Sequence, residues 1–433
     1  MKKSALLAMA AGVSFGLAGG PLRAAPSIPA FYENAAKIKP DGELGQIVSE
    51  AEIATPVAGA RAWRIAYVSS DVAGRKTLST GLVVAPAGAP PAGGRPIMAW
   101  AHGTTGSAQN CGPSQVTNPA QDLNEYFLMD GDSWTDYGLP GLRALIDEGY
   151  VVVGTDYQGL GGGGRHQYAV AATQARDVID SIRAVRSMKA AGAGGKAIVY
   201  GWSQGGGATL AAASLPDYIA KAGPASEPVE VVGFVGLAPF DLAGMAAGKA
   251  LDPSAADKAM GGLAAGFSDN IFNFTHFAMA IWGTRAAFPE LDLNDVFTDE
   301  GVRALDRVFS NKCMHAGADT LNYAYGAQFR SLLNPAVRNA EAWIRALVRG
   351  SVAPVKPVAP VVIYWGTKDT VVPPVMGKLY QEQMCKLGGN VERVQLPGEQ
   401  THFSTPGAAA PLFLPWVKDR FAGKPAANGC PAN

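Results

Sequence analysis

An α/β fold with a mostly parallel sheet and helices on both of its faces is what this sequence predicts, and three observations predict it. Short apolar, β-branched runs recur along the chain, and from the third onward they alternate with amphipathic or Ala-rich helical stretches. One run, Ala197 to Tyr200, passes through Gly201-Trp202-Ser203-Gln204-Gly205 into a small-residue helix, the order strand, sharp turn, helix. After that turn, 166 positions (369 minus 203) separate Ser203 from Asp369, more than a plain sandwich needs there, so an insertion is expected.

Eight strands are predicted, at Ala62 to Tyr67, Leu78 to Ala85, Ile97 to Ala101, Val151 to Thr155, Ala197 to Tyr200, Val231 to Leu237, Val361 to Trp365 and Val391 to Leu396. Helical patterns fall at Leu142 to Glu148, Tyr168 to Met188, Gln204 to Leu215, Val375 to Leu387 and Leu412 to Phe421. The second of these has Ala172, Ala175, Val178, Ile179, Ile182 and Val185 on one side and Arg176, Asp180, Arg183 and Lys189 mostly on the other, so it should pack on the sheet beside the turn.

Four stretches organise the chain: residues 1–25 as a signal peptide, 26–240 and 353–433 as two parts of one core, and 241–352 as a helical cap. Lys2 and Lys3 followed by apolar Ala5 to Leu17 and small residues read as an export signal, with cleavage expected between Ala18 and Ala25. No later segment has eighteen uninterrupted apolar residues, so no stable membrane span is expected. The insertion is rich in Ala, Gly, Phe and Leu and would roof the site with an apolar cavity, and the Pro-rich Ser351 to Pro360 would return the chain to the sheet.

Lys plus Arg balance Asp plus Glu at 36 each, and no run of one charge occurs, which argues against nucleic acid or an acidic polymer as partner. Cys111, Cys313, Cys385 and Cys430 in an exported chain suggest two disulfides among three possible pairings, with free buried thiols as the other reading. Their spacing lacks the CxxC or Cys/His pattern of a zinc site, and His166, His276 and His315 have no metal-ligand spacing, so neither metal nor organic cofactor is expected.

With 53 glycines in the chain the bare Gly-x-Ser-x-Gly pattern can arise from composition, so its context must carry the reading. Ser203 would sit at a strained elbow with its hydroxyl above the sheet, and Gly201 and Gly205 beside it and Trp202 would leave room for two close backbone passes. A serine attacks an ester poorly unless a base takes its proton and a carboxylate orients that base. His402, in a loop between the last strand and the last helix, is the expected base. Asp369, after the strand Val361 to Trp365, is the expected acid; Asp241 is its rival, and Glu399 lies too close to His402 in sequence. The backbone N–H of Gln204 and that of Gly103 or Thr104, in His102-Gly103-Thr104-Thr105-Gly106, are the expected oxyanion donors. His102 would orient that loop, and Asp156 would be first a buried hydrogen-bonding residue and second a substrate contact. Gly161 to Gly164 read as a flexible loop near the mouth; without a Walker lysine or GxGxxG they do not suggest nucleotide binding.

In Gly154 to Gly159 (GTDYQG), Asp180 to Ala184 (DSIRA), the elbow GWSQGG, Asn311-Lys312-Cys313, the acid loop GTKDTVVPP, Glu382 to Cys385 (EQMC) and the histidine loop THF, the chain resembles the secretory lipases of the α/β-hydrolase superfamily. About three quarters of the chain is covered in the right order. The resemblance implies an α/β-hydrolase fold, hydrolysis of carboxylic esters, often acylglycerols, through an acyl-serine intermediate, and a helical cap lining an acyl-chain tunnel. It places nucleophile, acid and base on Ser203, Asp369 and His402, and implies the pairs Cys111 with Cys313 and Cys385 with Cys430. AHGTTG departs from fungal lipase A and is closer to the HG pattern of general esterases. The expectation is an exported serine hydrolase acting on small-molecule or lipid esters, with transient lipid-interface contact through the cap. A short-chain esterase, a peptidase or acyltransferase on the same three residues, and a non-catalytic binding module of the same fold are the alternatives.

Overall fold

A computed structural model describes residues 30–225, 228–242 and 253–431. The predicted signal peptide, 1–25, and positions 243–252 of the predicted cap lie outside the described residues.

The sheet has nine strands: β1 (Ile47–Ile53), β2 (Ala60–Ser70), β3 (Lys76–Pro86), β4 (Arg95–Ala101), β5 (Val151–Gln158), β6 (Ala193–Trp202), β7 (Glu230–Leu237), β8 (Val361–Trp365) and β9 (Val391–Gln395), in the spatial order β1-β2-β3-β5-β4-β6-β7-β8-β9. Pairs from β1 to β5 are antiparallel, and those from β5 through β9 are parallel. The mostly parallel α/β architecture is the one expected, with one strand more than predicted. β1 escaped the sequence reading because IVSEAEI carries two glutamates and a serine on a half-exposed edge. Pairing with β2 sets it as a strand, a long-range cause that its own seven residues do not announce.

The central strands are buried on both faces, which is why they read as continuous apolar runs. One face packs beneath the helix Ala171–Ser187 and the elbow helix Gln204–Ala213, where Val178, Ile179, Ile182 and Leu210 are fully buried. The other packs against Leu142–Asp147 and Thr405–Phe421, through Leu142, Leu145, Phe413 and Val417. The last helix begins at Thr405, seven residues before the predicted start at Leu412 (412 minus 405). Pro411 and Pro415 lie within it, and their disfavour in helix interiors masked its first turns.

Between β7 and β8 lie five helices of eight or more residues among the described residues: Pro253–Gly266, Ile271–Ala287, Asp299–Phe309, Met314–Tyr325 and Ala340–Arg349. They bury a separate apolar cluster containing Phe274, Trp282, Phe309, Leu321 and Trp343. Asp299–Phe309 is capped by Thr298, whose side chain accepts from the Gly301 N–H, and two acids stand in its first turn. A disulfide, Cys111 to Cys313, ties these helices to the loop after β4, reinforced by the Met314 N–H donating to the Thr105 carbonyl. The second disulfide, Cys385 to Cys430, fastens the C-terminal tail to the helix Val375–Lys386.

Candidate active site

β6 ends at Trp202 and the elbow helix starts at Gln204, so Ser203 occupies the whole turn. Its backbone is left-handed, φ 58° and ψ −117°, a conformation costly for a residue with a Cβ and held here by its neighbours. The Ser203 N–H donates to the Leu237 carbonyl at 2.9 Å, and the Ser203 carbonyl accepts from Gly207 at 3.1 Å and Phe240 at 3.0 Å. Around it the chain passes too closely for side chains: a Cβ on Gly205 would lie 1.9 Å from the Ala101 carbonyl oxygen, and one on Gly201 2.3 Å from that of Gly205.

The structure brings three of the candidate side chains into one chain of contacts. Ser203 Oγ lies 2.9 Å from His402 Nε2, and His402 Nδ1 lies 2.8 Å from Asp369 Oδ2. Ser203 is 8% exposed, His402 3% and Asp369 9%, so both hydrogen bonds are shielded from water. Their directions follow from the inventory of groups: Nδ1–H donates to the carboxylate, leaving Nε2 to accept from the serine hydroxyl. The second carboxylate oxygen of Asp369 accepts from the N–H groups of Val371 at 2.9 Å and Val372 at 2.8 Å, which fixes the carboxyl plane. Sequence reasoning passed over this support, although an aspartate followed by free amides two and three residues on is an Asx-type signal. Trp202 holds the base from behind, its indole N–H donating to the His402 carbonyl at 3.1 Å. Asp241, the rival acid, is buried, and its charge adds to the rise in pKa that burial imposes on the nearby Tyr380 hydroxyl, while the contact at His402 Nδ1 is made by Asp369.

The loop after β4 lies against the elbow. Gly103 packs on the ring of Trp202 so closely that a Cβ would sit 2.6 Å from it. The amides of Gly103, Thr104 and Gln204 have no intramolecular acceptor among the described residues, and Gln204 stands at the first position of a helix, where the N–H groups are free and the dipole is positive. Two residues that sequence reasoning did not single out for this role order the region. Tyr168 shares a 2.8 Å hydrogen bond with Thr104 through their hydroxyls. His166 donates through Nδ1 to the Gln158 carbonyl at 2.7 Å and faces the Gln204 side-chain amide at 3.4 Å through Nε2. Burial pushes the His166 pKa down to about 3, so the ring is neutral and Nε2 can accept.

His102 lies buried between the carbonyls of Gly103 and Asp156, at 2.6 and 3.1 Å, and desolvation pushes its pKa down to about 4. Among the described residues neither ring nitrogen is bonded to Ser203, and the ring serves the loop. Asp156 accepts from Thr80 Oγ1 at 2.7 Å and from the Ser114 N–H at 2.9 Å, and its carboxyl, raised to about 6 by burial, is enclosed in the fold. The glycine run is not loose. Gln109 accepts from the N–H groups of Gly161 and Gly163, and Gly161 and Gly162 are buried against Tyr32 and Leu78, so the reading of a flexible loop is corrected. Packing of a distant glutamine, not local composition, sets its rigidity.

Above Ser203 opens a pocket bounded by Leu242, Leu263, Phe267, Phe277 and Ile281 from the chain after β7, and by Val371 and Val372 from the acid loop. Its walls are largely apolar, with Gln204, Tyr168, Asn273 and His276 as polar exceptions. On the outer side, the exposed segment Tyr126 to Met129 leans inward through Phe127, whose ring is 4.5 Å from Phe403, 4.6 Å from His315 and 5.3 Å from Phe272. Such a site combines an activated hydroxyl, an oriented imidazole, free amides and an apolar chamber. Acyl transfer from a hydrophobic substrate is the chemistry that uses all four.

A family model described as secretory lipase matches residues 133–429. Lipase 9 of Candida albicans is 24% identical over 435 residues, spanning 95% of this chain and 86% of that protein. A secreted triacylglycerol lipase of Malassezia furfur is 25% identical, over 75% of this chain and 63% of its own length. Among solved structures, Candida antarctica lipase A superposes with a TM-score of 0.65 at 17% identity, covering 92% of this chain and 87% of that one. The rice cell wall degrading esterase LipA of Xanthomonas oryzae does so with a TM-score of 0.60 at 19% identity, over 85% and 95%.

Proposed function

The chain belongs to the secretory lipase family and is a carboxylic ester hydrolase, and from that premise we propose that Ser203, His402 and Asp369 carry the reaction. Ser203 Oγ attacks the ester carbonyl carbon while His402 Nε2 takes its proton, and Asp369 stabilises the imidazolium that forms. The oxyanion is met by the N–H of Gln204 and that of Gly103 or Thr104. Collapse of the tetrahedral intermediate expels the alcohol, which takes the proton from His402, and leaves the acyl group on Ser203. Water, deprotonated by the same imidazole, then attacks the acyl-enzyme, and the carboxylic acid departs as Ser203 regains its proton.

The observation that carries this reading is the buried run of contacts from Ser203 Oγ to His402 to Asp369 at 2.9 and 2.8 Å. Segment 241–352 acts as a cap whose apolar wall receives the acyl chain, which favours lipid esters such as the triacylglycerols that name the Malassezia relative. Cap and rim also contact the lipid interface transiently. Export, which family membership supports, is directed by residues 1–25 as a signal peptide.

Fluorophosphonate labelling of the intact protein tests the nucleophile: the label should sit on Ser203 and vanish in Ser203→Ala. A folded protein that takes no label would return the chain to the class of binding modules, and label on another residue would move the nucleophile away from Ser203. Rates along a p-nitrophenyl ester series, with and without an emulsion, separate a lipase from a short-chain esterase, and a lipase should gain rate on long chains at the interface.

A further inference from the structure

The pocket over Ser203 is apolar except for a short polar line on one helix. On Ile271–Ala287, Asn273 and His276 stand three residues apart and both face the pocket. Its other polar side chains are engaged within the protein: Ser203 with His402, Tyr168 with Thr104, Gln204 with His166, and the Asn273 amide with Asp269. His276 differs. Its Nδ1–H donates to the Phe272 carbonyl, one turn back, at 2.9 Å, which leaves the ring lone pair on Nε2. Among the described residues that nitrogen has no hydrogen-bond partner.

Position tells what it could meet. The His276 ring lies between Phe272, at 4.4 Å between centroids, and Tyr168, at 6.5 Å, and the Tyr168 hydroxyl reaches Thr104 on the loop proposed to bind the oxyanion. The ring therefore stands on the side of the pocket where Tyr168 meets the loop after β4. Desolvation, and then the charges of His402 and His315, push the His276 pKa down to about 4, so at neutral pH the ring is an acceptor. Once a substrate fills the pocket and displaces water, an acceptor left without a donor becomes unfavourable, which disfavours a substrate that offers none.

We propose that His276 Nε2 accepts a hydrogen bond from a hydroxyl group on the substrate near the scissile ester, making this a pocket for hydroxylated esters. The inference rests on Ser203 being the reacting centre of the same pocket. Two sources present such a hydroxyl: an acyl chain hydroxylated near its carboxyl, and a polyol acylated at only one of its positions.

Initial rates by pH-stat on the purified protein test it with two pairs of esters. One pair is methyl β-hydroxyoctanoate against methyl octanoate, and the other is monooctanoylglycerol against propyl octanoate. In the native protein at least one hydroxylated ester should be favoured in kcat/KM by about fivefold. His276→Phe should bring that ratio near one, and His276→Gln, whose side-chain carbonyl can accept, should restore part of it. The first pair responding identifies a hydroxyacyl substrate, the second a polyol ester. Ratios that His276→Phe leaves unmoved, or a native protein indifferent in both pairs, overturn the proposal. Should His276→Phe not fold by circular dichroism, His276→Leu replaces it with the same criterion. Ser203→Ala, assayed in parallel, separates the two readings: turnover that persists there removes the catalytic assignment, whereas its loss with unmoved ratios removes only His276.

Discussion

The sheet side and the cap side of the pocket surround the same serine by different physical means. On the sheet side the contacts are backbone contacts: Ser203 is tied through its own N–H and carbonyl to Leu237, Gly207 and Phe240, and Gly201 and Gly205 permit approaches that no side chain could share. Beyond β7 the walls are side chains, Leu263, Phe277 and Ile281 among them, carried on helices with an apolar core of their own. Backbone placement admits few solutions, whereas an apolar wall can be built from many residues of similar volume. Changes on the sheet side should therefore abolish activity, and those on the cap side should grade it.

The largest expected effect lies on the sheet side. Ser203→Ala should lower kcat by about six orders of magnitude with the fold intact, measured on p-nitrophenyl esters and by thermal melting. Asp369→Asn should follow at about four orders of magnitude, because the imidazole loses the partner that fixes its tautomer. A cap substitution with an effect of that size on every ester would break the comparison.

The staple between the regions comes next. Cys111 and Cys313 close a loop of 202 residues, for which chain entropy gives an upper figure of about 5 kcal/mol. The double change to serine should lower the denaturation midpoint and loosen the cap, by urea titration and proteolysis, more than the same change at Cys385 and Cys430, which span 45 residues. Within the cap, Phe274→Ala should cost about 3 to 5 kcal/mol from the fully buried cluster, and change chain-length preference more than turnover of the shortest ester.

The smallest effect concerns pH at the rim. Glu125 and Asp136 are buried at the base of the segment that carries Phe127, and burial, with the neighbouring acids Asp136 and Asp130 adding at Glu125, raises their carboxyls to about 9 and about 7. Raised pKa values mean that the folded loop binds more protons than the opened one. Stability of the loop should fall as pH rises from the ordinary carboxylate range near 4 toward 7 and then 9. Proteolysis between Tyr126 and Trp134, normalised for protease activity, should accelerate across that span, and Glu125→Gln should flatten the response above pH 7.

How much of this was legible follows the same division. The parallel strands could be read because burial on both faces demands unbroken apolar runs such as Val151 to Val153 and Val361 to Tyr364. β1 could not, since its pairing with β2 and not its composition makes it a strand. Around Ser203 the residue types were legible in chain order, while the support given by Trp202, Val371, Val372, His166 and Tyr168 was not. Trp202, His166 and Tyr168 act through contacts with residues their local pattern does not name, whereas the Val371 and Val372 amides lie within the turn that Asp369 opens.

What the sequence by itself determined is the set of local necessities: glycines where backbone must touch backbone, a serine between strand and helix, apolar runs for a sheet covered twice. These are dictated within a few residues by sterics and burial. Only the tertiary structure decided how closely His402 is held to the serine, that Gly161 to Gly164 are pinned, and that His276 lines the pocket with a nitrogen unpartnered among the described residues. Those outcomes depend on distances between segments up to about two hundred residues apart, which are set by packing and have no counterpart in linear spacing.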